Sequence, residues 1–316
     1  MNKAKTDVIV LYGGDGFERE VSLKSGAAVL NALSERSEYM VTPFIINSIG
    51  EIKKLHNMKN SFVFIALHGS WGEDGRVQNE LELMHIPYSG SGSRSCLLAM
   101  DKNISKEIFI HSGIKVPKGF VLCQNEDILD FSIHNAVNYL GLPCVVKPCT
   151  KGSTVGVTIV KEVQELSSAF KFAFEFEKKV LLEEYIEGKE LTVTIFGNEN
   201  PRALPIIEIV PKSGYYTYDN KYTPGATSYI CPAHIDEKTA SLIKEMAIRA
   251  HISLGCKVYS RVDIILSREN VPYVLEVNTV PGMTETSLVP KAAAAENMSF
   301  SEFLNNIIEM SCENFK

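Results

Sequence analysis

Residues 261–278, RVDIILSRENVPYVLEVN, constrain this chain more than any other stretch. Two runs of alternating apolar and polar residues flank a polar turn at 267–270, the pattern of a β-hairpin with one covered face. Folded antiparallel about Glu269 and Asn270, the register sets Arg261 opposite Asn278, Val262 opposite Val277, Asp263 opposite Glu276 and Ile264 opposite Leu275. The apolar side chains then cover a core, while Arg261, Asp263, Glu276 and Asn278 gather on the other face. Two directly opposed carboxylates repel by roughly 3 kcal/mol at ~5 Å and an effective dielectric of ~20. A solvated sheet face ordinarily avoids that pairing. Oxygen donors of these types suit a hard divalent cation such as Mg2+, which turns the repulsion into attraction. A polar face with screened charges is the alternative, and the hairpin alone does not choose between the two.

With 316 residues the chain has room for two or three domains, and 45% hydrophobic against 22% charged residues is ordinary for a well-packed soluble protein. The net charge of −6 gives no basic surface for nucleic acid. Seven scattered cysteines without a CxxC pair indicate neither a disulfide framework nor a zinc site. A reduced, cytoplasmic setting follows. The N-terminal apolar run is too short for a signal peptide, and no stretch is fit to span a bilayer, so no membrane partner is expected.

A strand at 7–12 ends in Gly13-Gly14 and leads to an amphipathic helix at 20–33, with Val21, Ala28, Val29 and Leu30 as its apolar points. Further strands at 40–46 and 61–67 complete a β-α-β order, an open parallel sheet of Rossmann-like type with ligands beyond the carboxyl ends of its strands. GGDGFERE and ALHGSWGEDG sit at two such ends. The first has no third glycine, and the second strand ends in Ile45-Ile46-Asn47 without a ribose-binding acid, so it is no dinucleotide fingerprint. It reads as a glycine turn feeding a helix N-terminus, with Glu18 beside it to hold an ammonium group. His68 alone reads as a hydrogen-bonding loop residue, and Trp71 as a packing residue.

Gly90-Ser91-Gly92-Ser93 breaks the composition and reads as a domain boundary. The central region reads as a helix at 102–111, a strand near Phe120, a helix at 128–140 and a strand at 144–148. CTKGSTVGV at 149–157 is not a P-loop. Its glycines and hydroxyls, with Lys147 before it and Lys151 within it, suit phosphate oxygens; an ordinary hairpin turn is the alternative. The strand at 180–186 carries Glu183-Glu184 and is followed by Glu190, a connector able to present backbone groups to an adenine edge and an acid to a ribose. The aromatic, glycine-bearing stretch at 215–229 reads as a lid or as a long structural loop. Helices follow at 236–254, with Asp236 as N-cap, after Ser287, and at 299–310.

Taken in order, EREVSLKSG, ALHGSWGEDG, Met100-Asp101-Lys102, VVKPCTKGSTVGV, YDNKYTPGATSYICPA, RVDIIL and LEVNTVPGMTETSLVPKAA resemble the D-alanine:D-alanine ligases of the ATP-grasp superfamily. The resemblance runs from about Val8 to the last helix, and it implies three domains, an N-terminal one at 1–95, a central one at 96–180 and a C-terminal one at 181–316. It implies an α/β (α+β) ATP-grasp fold behind the parallel-sheet domain, and ATP-dependent joining of two D-alanine molecules through an acyl phosphate for peptidoglycan synthesis. It further implies two Mg2+ ions, with Mn2+ as a substitute, and a homodimer.

Carried over by position, the resemblance puts the metal on Asp263, Glu276 and Asn278. ATP falls on Lys102, Lys147, Lys151, Gly152, the connector Glu183, Glu184, Tyr185 and Ile186, and Glu190. Glu18, Ser153 and Tyr222 correspond to a hydrogen-bonded triad near the first D-alanine, and Arg261 and the Gly282 N–H to the oxyanion donors. Ser287 and Leu288 correspond to the carboxylate site of the second substrate, with Lys221 and His68 near the transferred phosphate. Thr154 stands where a second serine is frequent, and Thr150-Lys151 where an acidic residue often precedes the glycine, which leaves the loop's phosphate contacts open. Tyrosine at 222 goes with the dipeptide in this family. Other readings are an ATP-grasp ligase with D-serine or D-lactate as second substrate, a nucleotide-binding regulatory module, and an oxidoreductase, the last opposed by the missing glycine and acid.

Overall fold

The computed structural model describes residues 5–58, 60–124, 135, 137–212 and 225–315. Strand β1 (Thr6–Gly13) is flanked by β2 (Tyr39–Ile46) and β3 (Phe62–Ile65), both parallel to it, in the order β2-β1-β3. All four β3 residues are buried, as a strand covered on both faces requires.

Helix α1 (Arg19–Ser34) crosses between β1 and β2, but its buried face differs from the apolar points of the sequence. Val21, Ala28 and Leu30 are only half-buried, and the inward stripe is Ser22, Ser25, Gly26, Val29 and Leu33. Small and hydroxyl residues serve there because α1 lies close against strand ends that need hydrogen bonds. Ser22 Oγ accepts from the Gly13 N–H at 2.9 Å and donates to the Ala66 carbonyl at 2.7 Å. At Gly26 an added Cβ would lie 2.2 Å from the Tyr12 ring.

Helices α2 (Arg76–Leu83), α3 (Ser93–Met100) and α4 (Lys102–His111) lead into a four-stranded antiparallel sheet. Its strands are β4 (Gly119–Cys123), β5 (Cys144–Pro148), β6 (Thr158–Val160) and β7 (Lys179–Glu184), ordered β4-β7-β5-β6 and covered by α5 (Leu166–Phe174). The helix expected at 128–140 falls mostly outside the described residues. A second antiparallel sheet runs β11-β10-β8-β12-β13. It comprises β8 (Gly188–Phe196), β9 (Arg202–Ala203, paired with β8), β10 (Ile207–Pro211), β11 (Thr227–Ile230), β12 (Tyr259–Ser267) and β13 (Pro272–Asn278). Helix α6 (Glu237–Ser253) packs on it, its N-cap Asp236 accepting from the Thr239 N–H at 3.0 Å. Then come α7 (Leu288–Ala294) and α8 (Phe300–Glu313).

The hairpin β12-β13 holds the expected register at its open end: Arg261 faces Asn278, Val262 faces Val277 and Asp263 faces Glu276. Beyond that the expectation fails, because Ile264 faces Val274 and not Leu275. A register shift after Asp263 makes room for one extra residue on β13. The bulge keeps both Ile264 and Val274 wholly buried, which an unbroken ladder would not do.

Apolar residues from both ends of the chain meet in one core. Val8, Val10, Phe62 and Phe64 pack with Phe303, Leu304 and Ile307 of α8. Trp71 packs against the opposite face of the parallel sheet, as its sequence context indicates. The seven cysteines are free, and no helix among the described residues is long and apolar enough to cross a membrane.

One buried titratable group of α6 reports on this packing. His251 Nδ1 lies 2.7 Å from Ser260 Oγ, and burial, aided by Lys257, pulls the imidazole pKa from 6.5 down to about 4. The unfolded chain therefore takes up this proton first as the pH falls. The stability gained by burying the neutral ring is whole above pH 6.5 and is lost toward pH 4. His251→Gln should flatten the decline of melting temperature across that window. An acid slope equal to that of the parent would refute this role.

Candidate active site

A cavity of ≈ 400 Å³ opens where the carboxyl ends of β1 and β3, the 149–157 loop and the polar face of β12-β13 converge. Its walls bring together Glu18, His68, Lys102, Gly152, Ser153, Arg261, Asp263, Glu276, Asn278, Gly282, Ser287 and Leu288, residues drawn from across the chain. Lys221 and Tyr222 lie outside the described residues.

Glu18 is the residue before α1, and its carboxylate accepts a short hydrogen bond from the Ser153 hydroxyl. The loop carrying Ser153 is strained: Ser153 and Thr154 both adopt left-handed backbone, at φ +51° and +63°. A β-branched residue in that region is uncommon, and such strain clusters where geometry serves function. Gly69 stands on the other side of Glu18. Its φ is +70°, and a Cβ there would lie 2.2 Å from Glu18 Oε2.

His68 is buried and spends both ring nitrogens inside the protein. Nδ1 is 3.1 Å from the Val280 carbonyl, which can only accept, so Nδ1 carries a proton; Nε2, at 2.8 Å, takes the Ser25 hydroxyl. Ser25 Oγ in turn accepts from the Met283 N–H at 3.2 Å, tying α1 to the loop that carries Gly282. Glu73 completes this corner, with Oε1 accepting from the Gly69 N–H at 3.0 Å and lying 3.6 Å from His68 Nδ1. Sequence reasoning missed Ser25 and Glu73, although Glu73 lies in the same short motif as His68.

On the hairpin the opposed carboxylates each meet a cation. Arg261 grips Asp263 through two bonds of 2.9 and 2.8 Å, and Thr192 donates to the same carboxylate at 2.6 Å. Lys102, the first residue of α4, reaches Glu276 Oε2 at 3.1 Å and the Lys151 carbonyl at 2.8 Å. Burial works against the charge of Lys102, but Glu276 outweighs it and the pKa stands raised. The repulsion inferred from the hairpin is thus met partly by a lysine from outside it. Two carboxylates and the Asn278 carboxamide are all oxygen donors on one face, a set that fits a hard divalent cation with open positions for further oxygens.

A second polar cluster adjoins Lys102. Glu183 takes the Lys147 ammonium on Oε1 and the Lys106 ammonium, at 2.6 Å, on Oε2. Burial would raise the pKa of Glu183, yet the two lysines hold it below the usual carboxylate range. Burial lowers that of Lys106, and Glu183 only partly offsets it. Lys106 was missed in the sequence, where its position one helical turn after Lys102 is the available signal.

The remaining expected nucleotide residues do not line the cavity. Lys151 contributes its carbonyl to Lys102. Glu184 Oε1 accepts from the Lys118 N–H at 2.8 Å, the Tyr185 N–H donates to the Pro143 carbonyl at 3.3 Å, and Glu190 sits on β8 between Ile209 and Ile265. Ile186 lies in the turn between β7 and β8. At the far wall Ser287 stands at the N-cap position of α7, and its hydroxyl accepts from the Thr284 N–H at 3.0 Å and not from the helix.

Known proteins resemble this chain in sequence and fold. Family models described as the D-ala D-ala ligase N-terminus and C-terminus match residues 48–91 and 108–309. The D-alanine–D-alanine ligase of Pelotomaculum thermopropionicum is 41% identical over 309 residues, covering 96% of each chain. That of Halalkalibacterium halodurans is 42% identical, covering 96% of this chain and 98% of the relative. Among solved structures, the D-alanine–D-alanine ligase of Bacillus anthracis complexed with ATP superposes with a TM-score of 0.86 at 35% identity, covering 98% of both chains. The VanG D-Ala:D-Ser ligase of Enterococcus faecalis gives 0.84 at 29% identity, over 97% of this chain and 99% of its own. The fold is therefore ATP-grasp, and the chain belongs to the D-alanine–D-alanine ligase family.

Proposed function

We propose that this chain joins two D-alanine molecules into D-alanyl-D-alanine at the expense of ATP. The observation that carries the reading is that Glu18, Arg261, Gly282, Ser287 and Leu288 line one cavity, together with Asp263, Glu276 and Asn278 of β12-β13.

A carboxylate is a poor acyl donor. In the first step an oxygen of the first D-alanine carboxylate attacks the γ-phosphorus of ATP, the bond to ADP breaks, and an acyl phosphate forms. Glu18, fixed by Ser153, faces the ammonium of that D-alanine and orients it. Lys102 and Lys147 neutralise phosphate oxygens. A divalent cation such as Mg2+, held by Asp263, Glu276 and Asn278, would supply further charge neutralisation for the transferred phosphoryl group.

In the second step the amine of the second D-alanine, its carboxylate held by Ser287 and the Leu288 N–H, attacks the acyl carbon. Negative charge builds on the carbonyl oxygen, and Arg261 and the Gly282 N–H stabilise it. The carbon–nitrogen bond forms, the bond to phosphate breaks, and phosphate leaves. The same fold in VanG carries a D-Ala:D-Ser ligase, so the second substrate is set by side chains in the cavity and by Tyr222 and not by architecture.

Purified protein given ATP, Mg2+ and D-alanine should release one phosphate for each D-alanyl-D-alanine weighed by mass spectrometry. Phosphate without dipeptide, or a mixed product preferred when D-serine or D-lactate competes, would overturn the reading. Tyr222→Phe should admit D-lactate as second substrate; its continued exclusion at high concentration would remove Tyr222 from the specificity set. Gly69→Ala drives a methyl group into Glu18 and should raise the KM for the first D-alanine about tenfold while leaving that for ATP within about twofold. Equal changes in both constants would mean that Glu18 does not act on the amino acid.

A further inference from the structure

We propose that Lys106 is a positioning residue for the nucleotide: by holding Glu183 it lets Lys147 leave that carboxylate for the phosphates. The inference rests on the reading of the chain as ATP-dependent and concerns a residue that does not line the substrate cavity.

Glu183 divides its two oxygens between two lysines from different elements, Lys106 of α4 and Lys147 of β5. The three side chains are only 7%, 10% and 4% exposed for Lys106, Lys147 and Glu183. Lys102 lies one helical turn before Lys106 on the same face of α4 and pairs with Glu276. Three ammonium groups therefore face two carboxylates across this wall, and one positive charge is in excess. A surplus charge out of water is strongly disfavoured, and a polyphosphate is an anion able to relieve it.

The lysines differ in freedom. Lys147 stands at the end of β5, two residues before the loop that brings Gly152 and Ser153 to the cavity. Lys106 is in the second turn of α4 and pairs with Glu183 of β7, one helical turn farther along than Lys102, which walls the cavity. When Lys147 turns to a phosphate it leaves a buried carboxylate behind. With Lys106 in place that carboxylate keeps a cation and stays ionised, and its vacated Oε1 can accept a hydrogen bond from the bound nucleotide. Without Lys106, Lys147 is the only ammonium among the described residues in ion-pair contact with Glu183, and its departure would leave the carboxylate without a close cation. Lys106 thus weakens the hold of Glu183 on Lys147 and strengthens that of the nucleotide.

Lys106→Met removes the charge and keeps the length. Lys106→Gln keeps a hydrogen-bond donor for Glu183 without the charge, and serves where the methionine variant folds poorly. Each is compared with the parent by melting temperature, by steady-state kinetics, and by calorimetric titration with Mg·ADP, which needs no turnover. The expected result is a KM for ATP and a Kd for ADP raised about tenfold, with kcat within about threefold and the KM for D-alanine unchanged. Lower melting temperatures with unaltered ATP and ADP constants would overturn the inference and leave Lys106 as a structural neutraliser only. If the parent binds ADP but makes no dipeptide, the ligase reading fails, while the ADP constants still decide the role of Lys106.

Discussion

Everything in this molecule leans on one electrostatic constraint: carboxylates placed opposite each other on a sheet must be held by cations. The cross-strand pair Asp263 and Glu276 is that constraint in its plainest form. Arg261 answers Asp263 from the same strand, and Lys102 answers Glu276 from the start of α4. Through Lys102 the hairpin fixes where α4 begins, and through the Lys151 carbonyl it also fixes the glycine-rich loop. The Lys102 N–H donates to the Cys149 carbonyl at 3.0 Å, so the helix is tied to the end of β5 as well. Lys102 thus links the hairpin of one antiparallel sheet to the end of β5 in the other.

The parallel sheet joins this frame by hydrogen bonds of another kind. Its strand ends offer backbone groups and short motifs, and α1 meets them with serines. Ser22 fastens the helix to Gly13 and Ala66, while Ser25 links His68 to the backbone of Met283. The outcome is a cavity whose corners come from chain segments more than two hundred residues apart. The two left-handed residues of the 149–157 loop sit where these systems meet, at the Ser153 contact with Glu18. Strain of this sort, of order 1–3 kcal/mol per residue, persists because the surrounding contacts over-determine it.

What the sequence made legible follows from the range of the forces involved. The facing of Asp263 and Glu276 was readable because strand period and turn position fix it locally. The bulge at Leu275 was not, since it answers to the packing of Ile264 and Val274 against α6. The open parallel sheet was readable from its β-α-β order; the inward face of α1 was not, because close packing selects small residues there and periodicity rewards large ones. The grouping of Glu18, Ser153 and Arg261 in one cavity came from the resemblance to a family, as no local rule joins such distant positions. Lys106 and Glu73 escaped for the same reason: each is an ordinary charged residue until the fold brings it a buried partner.

The proposed seat of a divalent cation that arrives with the nucleotide is Asp263 and Glu276, balanced by Arg261 and Lys102. Calorimetric titration of ADP with and without Mg2+, in the parent and in Asp263→Asn, tests it most directly. The account predicts that Mg2+ tightens ADP binding to the parent and that this gain is largely lost in the variant. An equal Mg2+ effect in both proteins would contradict it and leave the hairpin as a polar face held by ion pairs alone.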